Sequence, residues 1–307
     1  MNKVKLGICI FFAFFIVSSC KQKTKAIVKE EDKLESGSAS FAADESFQPI
    51  VDQEKYVFTQ LNKEAKPTII YKSENDVLRM LLNDSVRLAI LSRDLTPEET
   101  KVMVNKTLPP LVNRFAIDAV TLIVNQSSND TLMTVAELKK LLNGQTKTGT
   151  NIVFDNPNSS LVRYLKTFSG AVDFNRKNIY SLKNNKEVIR YVAKNQGAIG
   201  IVGFSWLDDP DDDYADAVKK VKIMAIKDED SKTAPNQYFM PSQNTLALKQ
   251  YPLIRGLYVI NCTGKLGLGT GFAHFMVSDK GQRIILRSGL LPDSIPQREI
   301  NIKHTYN

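Results

Sequence analysis

Residues 151–170, NIVFDNPNSSLVRYLKTFSG, constrain the fold most, because they run from a short apolar strand through a polar loop directly into an amphipathic helix. The loop Asp155-Asn156-Pro157-Asn158-Ser159-Ser160 has nothing apolar to bury except the proline. In the helix, Leu161, Val162, Leu165 and Phe168 form one stripe, and Gly170 supplies the stop. With Ser160 as N-cap, the free amides of the first turn and two hydroxyls converge on one point, which is a ready oxyanion site. Arg163 is then the third helical residue. A cation there opposes the helix dipole at about 0.3–1 kcal/mol, which a bound anion can offset. The same residues also read as a plain cap beside a solvent-facing arginine.

Similar punctuation recurs along the chain. Short β-branched or apolar runs at Thr68–Tyr71, Leu88–Leu91, Ala119–Val124, Ile152–Phe154, Ala198–Val202, Val221–Ala225 and Leu257–Asn261 alternate with helical patterns, which specifies an α/β fold. Thr96-Pro97-Glu98-Glu99 and Thr134-Val135-Ala136-Glu137 are capping boxes, the second closed by Gly144, and Asn185 is placed to cap a helix from Lys186 to about Asn195. Ligands of open α/β sheets bind at the carboxyl ends of strands. Ser92 and Arg93 follow one such end and Ser73 another, while Ser46 and Phe47 begin an amphipathic helix. Arg93 also reads as a loop cation paired with Asp94 or Glu98, and Ser73 as the cap of a helix through Val77, Leu78 and Leu81.

At the N-terminus, Lys3 and Lys5 precede an apolar run from Leu6 to Val17 that ends in Val17-Ser18-Ser19-Cys20. That is a signal peptide over residues 1–19, too short to span a bilayer, and its end resembles the lipobox of bacterial lipoproteins, with Cys20 as the lipidated residue. Residues 20–40, charged and small, read as a lipidated flexible tether. Removing Lys3 and Lys5 leaves 39 of the 41 Lys+Arg against 33 Asp+Glu, a balance compatible with an anionic ligand and equally with an ordinary surface. No basic block interleaved with aromatics points to nucleic acid. With Cys9 in the removed segment, the folded part keeps Cys262, His274 and His304, too few for a zinc site or a redox pair. His274 reads as a helix residue, Phe204 and Trp206 as core or cleft wall, and Asp208 to Asp213 as a solvated loop lacking the glycine and glutamate of an EF-hand.

The order of these segments resembles the phosphate-binding proteins of phosphate ABC transporters over nearly all of residues 41–300. The likeness runs through Ile90-Leu91-Ser92-Arg93-Asp94-Leu95-Thr96, Ile117 to Asn125, Met133 to Gly144, Gly197-Ala198-Ile199-Gly200 and Tyr251-Pro252-Leu253-Ile254-Arg255. The resemblance implies a two-lobed type 2 periplasmic binding protein fold, with lobe one formed by residues 41–116 and 227–307 and lobe two by residues 117–226. It implies a monomeric extracytoplasmic lipoprotein of the cell envelope. Such a protein captures inorganic phosphate or a similar oxyanion for an ABC permease, without cofactor, metal or enzymatic activity. The residues matching the family's ligand loops are Ser46, Phe47, Ser73, Ser92, Arg93 and the loop Asp155 to Leu161, so the implied ligand set is these with Asn158, Ser159, Ser160 and Arg163. Two departures stand out. Arg93 occupies the place of the family's proton-accepting aspartate and Asp155 that of its arginine, as if the charges were exchanged between lobes. Ser160-Leu161 replaces Gly-Thr. The competing reading is an envelope interaction lipoprotein that keeps the scaffold without transporting phosphate. An enzyme is disfavoured, because neither histidine lies in a base motif and the serine loop is no nucleophile elbow.

Overall fold

A computed structural model of the chain describes residues 32–145 and 149–295. The signal-peptide and lipidation readings at residues 1–20 therefore lie outside the described residues. Among those described, no helix is long and apolar enough to cross a membrane.

Among the described residues twelve strands are present: β1 Gly37–Asp44, β2 Ala65–Lys72, β3 Leu88–Leu91, β4 Leu111–Asn125, β5 Leu132–Thr134, β6 Asn151–Phe154, β7 Ile179–Ser181, β8 Ala198–Gly203, β9 Val221–Ile223, β10 Ala225–Lys227, β11 Ile254–Asn261 and β12 Leu291–Pro292. One continuous sheet runs β2-β1-β3-β11-β4-β8-β6-β7, and β10 pairs with β5 in a separate ribbon. Two parallel half-sheets, β2-β1-β3 and β8-β6-β7, meet through the antiparallel pair β11 and β4. Strand β4 makes the junction because it is long enough to serve both sides. Its first part pairs with β11 from Leu111 to Ala119, and its second with β8 from Val120 to Val124.

The helices α1 Gln48–Leu61, α2 Glu74–Leu82, α3 Pro97–Asn105, α4 Val135–Leu142, α5 Ser160–Ser169, α6 Asn185–Lys194, α7 Leu268–Val277 and α8 Asp279–Arg287 cover these strands, each burying an apolar face. In the first half-sheet the packing is aromatic. Phe272 of α7 stacks on Phe41 of β1 at 5.5 Å and meets the edge of Phe58 of α1 at 5.3 Å. Both capping boxes form as expected, Thr96 with Glu99 and Thr134 with Glu137.

Five local expectations are corrected. The stretch Gly37–Ser40, assigned to the tether, is the first half of β1 and pairs residue for residue with Ala65–Thr68. Small side chains there lack a β-branched strand signal, while the backbone ladder and the burial of Phe41 to Ala43 decide the outcome. The N-cap of α5 is Ser159, not Ser160, and that of α6 is Asn184, not Asn185. Ser46 does not cap α1; Asp44 caps a 3₁₀ turn, Glu45–Phe47, that leads into it. The run Val221–Ala225 splits at Met224 into β9 and β10, which pair with different partners.

Residues 32–36 are pinned to α7. Asp32 Oδ1 accepts from the Leu268 amide at 2.7 Å, and a Cβ added to Gly271 would stand 1.7 Å from the Leu34 carbonyl oxygen. Gly271→Ala must therefore push this turn off the helix. The expected cost is about 1–3 kcal/mol, read as a thermal midpoint several degrees lower. Gly197→Ala, with nothing within 4 Å of the added methyl, should leave the midpoint nearly unchanged.

Candidate functional site

The parallel strands of both half-sheets direct their carboxyl ends at one polar seam. Strand β1 ends at Asp44, whose Oδ1 accepts from the Ser46 amide at 3.0 Å and fixes the following turn. Strand β6 ends at Phe154, so the next residue, Asp155, enters the seam fully buried. Asp155 Oδ1 accepts from the Ser159 hydroxyl, and Oδ2 accepts from Ser46 Oγ at 3.1 Å and Asn185 Nδ2 at 3.2 Å. Because Ser46 follows β1 and Asp155 follows β6, this carboxyl bridges the two half-sheets. The Trp206 indole N–H adds a second tie across the seam, donating to the Ser46 carbonyl at 2.8 Å.

A parallel bridge forms at Glu74, the first residue of α2. Its Oε2 accepts from Ser92 Oγ at 2.7 Å, while Arg163 of α5 donates Nε to Oε1 and Nη2 to Oε2 at 3.2 Å. Arg163 Nη2 also reaches Ser92 Oγ at 2.6 Å. At the junction strands, Arg255 of β11 stands in register beside Asp118 of β4. Its Nε and Nη2 donate to Asp118 Oδ2 at 3.0 and 2.8 Å, its Nη1 donates to Ser160 Oγ at 3.1 Å, and its guanidinium lies 4.5 Å from the Phe47 ring centroid. Gly203, at the end of β8, leaves the room this requires, since a Cβ there would meet Arg255 Nη2 at 2.8 Å and Asp118 Oδ2 at 3.2 Å.

Burial dominates the electrostatics. It pushes Asp155 up to about 7, with the Ser159 hydroxyl opposing, the nearby Asp44 adding, and Arg255 and Ser46 opposing. Burial and the charge of Glu74 push Asp44 up to about 6 against Ser160, the Ser46 amide and Arg255. Asp118 is likewise raised by burial, which outweighs Arg255. For Glu74, burial is opposed by Arg163, Ser92 and Arg93, and these together hold it below the usual carboxylate range.

Ser46, Phe47, Ser92, Asp155, Ser159, Ser160 and Arg163 thus meet in one place, and three expected residues do not join them. Ser73 caps α2, its Oγ donating to Asp76 Oδ2 at 2.8 Å and accepting from the Asp76 amide. Asn158 is exposed, with its amide on Asn156 Oδ1. Arg93 forks onto Glu99 with two 2.7 Å bonds and donates to the Asp94 carbonyl. The capping-box glutamate thus holds the Arg93 guanidinium, while Asp155 is held by Ser46, Ser159 and Asn185.

Five residues of the seam escaped the sequence reading: Asp44, Glu74, Asp118, Asn185 and Arg255. For two of them a signal was available. Asp118 is a lone acid in the apolar run from Phe115 to Val124, and Arg255 a lone base in an otherwise uncharged strand, and such charges are rarely buried unpaired. The expected helix residue His274 is exposed on α7, and Asp211 and Asp213 of the acidic loop pair with Lys186 and Arg190 at the surface. Among the described residues, no group of His, Cys, Asp and Glu could hold a metal ion.

The chain belongs to the PBP superfamily: the model of the PBP superfamily domain matches residues 29–280. It is 26% identical over 262 residues to the phosphate-binding protein PstS of Borreliella burgdorferi, covering 79% of this chain and 85% of that protein. It is 25% identical over 252 residues to protein SphX of Synechococcus elongatus, covering 76% of this chain and 71% of that one. An ABC-type phosphate transport receptor from Vibrio cholerae superposes with a TM-score of 0.63 at 18% identity, over 82% of this chain and 99% of that one. The fold is therefore the two-lobed type 2 periplasmic binding fold.

The buried Asp155 carries a pH signature. A carboxyl whose folded pKa lies above its unfolded value of about 3.9 contributes stability at low pH that is lost as pH rises through the folded pKa. Without ligand, the denaturant midpoint should fall as pH is raised from about 4 through about 7. In Asp155→Asn the fall should be shallower but not abolished, because the buried Glu54, whose carboxyl oxygens have no hydrogen-bond partner, acts with the same sign. Equal slopes in both proteins would show that Asp155 ionises normally.

Proposed function

We propose that this member of the PBP superfamily is an extracytoplasmic substrate-binding lipoprotein that takes a small oxyanion, inorganic phosphate first, into its interlobe seam for an ABC transporter. One observation carries the reading. Four hydroxyls from three strand-end loops, at Ser46, Ser92, Ser159 and Ser160, converge with two guanidinium groups, Arg163 and Arg255, at a buried meeting point of both half-sheets. Donors on opposed lobes can bind a tetrahedral anion only when the lobes come together, which is how a capture protein signals that it is loaded. The names of the similar proteins, phosphate-binding protein and phosphate transport receptor, support phosphate as the ligand.

On this reading Cys20 carries the lipid, residues 21–31 form the tether up to the turn pinned on α7, and the protein acts as a monomer on the outer side of a membrane. One lobe comprises β1 to the first part of β4 together with residues 227–295, and the other comprises residues 117–226. Arg163 takes the charged role first given to Arg93, because it already crosses the seam while Arg93 is held by Glu99.

A second reading has its own support. The hydroxyls of Ser46, Ser92 and Ser159 already meet protein carboxylates, as expected of a scaffold reused to bind a cell-envelope partner without transporting phosphate. Calorimetric titration of ligand-stripped protein separates the two. The transport reading expects saturable heat with phosphate and much less with sulfate, whereas silence across a panel of small anions supports the scaffold reading. Arg163→Ala should weaken phosphate binding by more than about tenfold, since a desolvated anion loses a charged donor. Arg93→Ala should leave it nearly unchanged. The reverse ranking would return Arg93 to the site.

A further inference from the structure

The seam holds more acid than its cations can balance. Four buried carboxyls, Asp44, Glu74, Asp118 and Asp155, surround Arg163 and Arg255. Glu74 is forked to Arg163 and Asp118 to Arg255, which uses both guanidinium groups. Asp44 and Asp155 remain without a cation of their own. Asp155 accepts only from neutral donors, and Asp44 Oδ2 has no hydrogen-bond partner although it is fully buried. Asp44, at the end of β1, faces Glu74 of α2, Arg255 of β11 and Ser160 of α5; Asp155 faces Asp44, Arg255, Ser46, Ser159 and Asn185.

We propose that oxyanion capture in this seam is coupled to uptake of a proton by the Asp44–Asp155 pair. The inference rests on the oxyanion reading above. An anion entering among ionised carboxylates adds like charge at short range in a desolvated space, and two such charges cannot both persist there. A proton taken from solvent by either carboxyl removes one negative charge and converts an acceptor into an O–H donor for a ligand oxygen. The same protonation relaxes the hold of Asp155 on Ser46 and Ser159, so their hydroxyls can turn to the anion. The balance is simple: protein, proton and anion go in, one protonated complex comes out, and no other bond changes. The near-neutral poise of both carboxyls is consistent with this role. Asp44 and Asp155 thereby set which charge state of the ligand is accepted and at what pH.

The test is phosphate calorimetry at pH 6, 7 and 8 on the wild-type protein and on Asp44→Asn, Asp155→Asn and the double variant. Phosphate's own titration is common to all, so the difference between proteins isolates the carboxyls. One required proton with a pKa near 7 costs about a factor of ten in affinity between pH 6 and pH 8. Wild-type Kd should rise by about tenfold more over this range than that of the double variant. Repeating the wild-type titration at pH 7 to 8 in buffers of different ionisation heat should show net proton uptake, and this needs no variant to fold. Parallel pH dependence in wild type and double variant, or no proton uptake in wild type, overturns the coupling alone. Absence of phosphate binding at every pH overturns the oxyanion reading itself.

Discussion

The buried pair of Arg255 and Asp118 organises everything around it. Its two residues stand side by side on the antiparallel strands that join the half-sheets, so the charge sits at the junction. From there the guanidinium lies against Phe47, which follows β1 of one half-sheet, and donates to Ser160, which follows β6 of the other. The pair cannot be justified as a source of stability, because desolvating two ions offsets much of their attraction. Its effect is positional. It fixes a fork of donors at the base of the seam and requires a residue without a side chain at Gly203, where a Cβ would meet both partners of the pair.

Much of this architecture is legible in the sequence, and the failures have definite causes. Long apolar runs and capping boxes identified strands and helices because local chemistry and tertiary packing agree there. The N-caps of α5 and α6 were displaced by one residue because Ser159-Ser160 and Asn184-Asn185 are pairs of equally good caps, and only the backbone path decides between them. Each rejected cap points inward instead and becomes a seam residue, Ser160 toward Arg255 and Asn185 toward Asp155. Strand β1 was hidden by small residues whose only strand credential is the ladder they form with β2. Arg255 was missed because its role depends on a partner 137 residues away in sequence, a pairing that no local pattern encodes.

The polar seam is also unusual in how it is compensated. Serine hydroxyls and arginines that would suit a free anion are met by carboxyl groups of the protein itself, Asp155 standing to Ser46 and Ser159 as Glu74 stands to Ser92 and Arg163. Buried polar networks of this kind are costly unless fully satisfied, and Asp44 Oδ2 and Asp118 Oδ1, buried without a hydrogen-bond partner, mark where this one is not. Indole and amide donors from Trp206 and Asn185, both on the side of the second half-sheet, complete the lining.

The place of β11 has a consequence for how the chain acquires its shape. This strand lies between β3 and β4 and pairs with both, yet it is made only after the whole of the second half-sheet has been synthesised. Strands β6, β7 and β8 pair only with one another and with the earlier β4, whereas the first half-sheet must hold an open slot until residues 254–261 arrive. Non-local closure of this kind is slow and leaves strand edges exposed while it waits. The polar seam, whose base is Arg255 of this strand, is therefore completed only once residues 254–261 have been made.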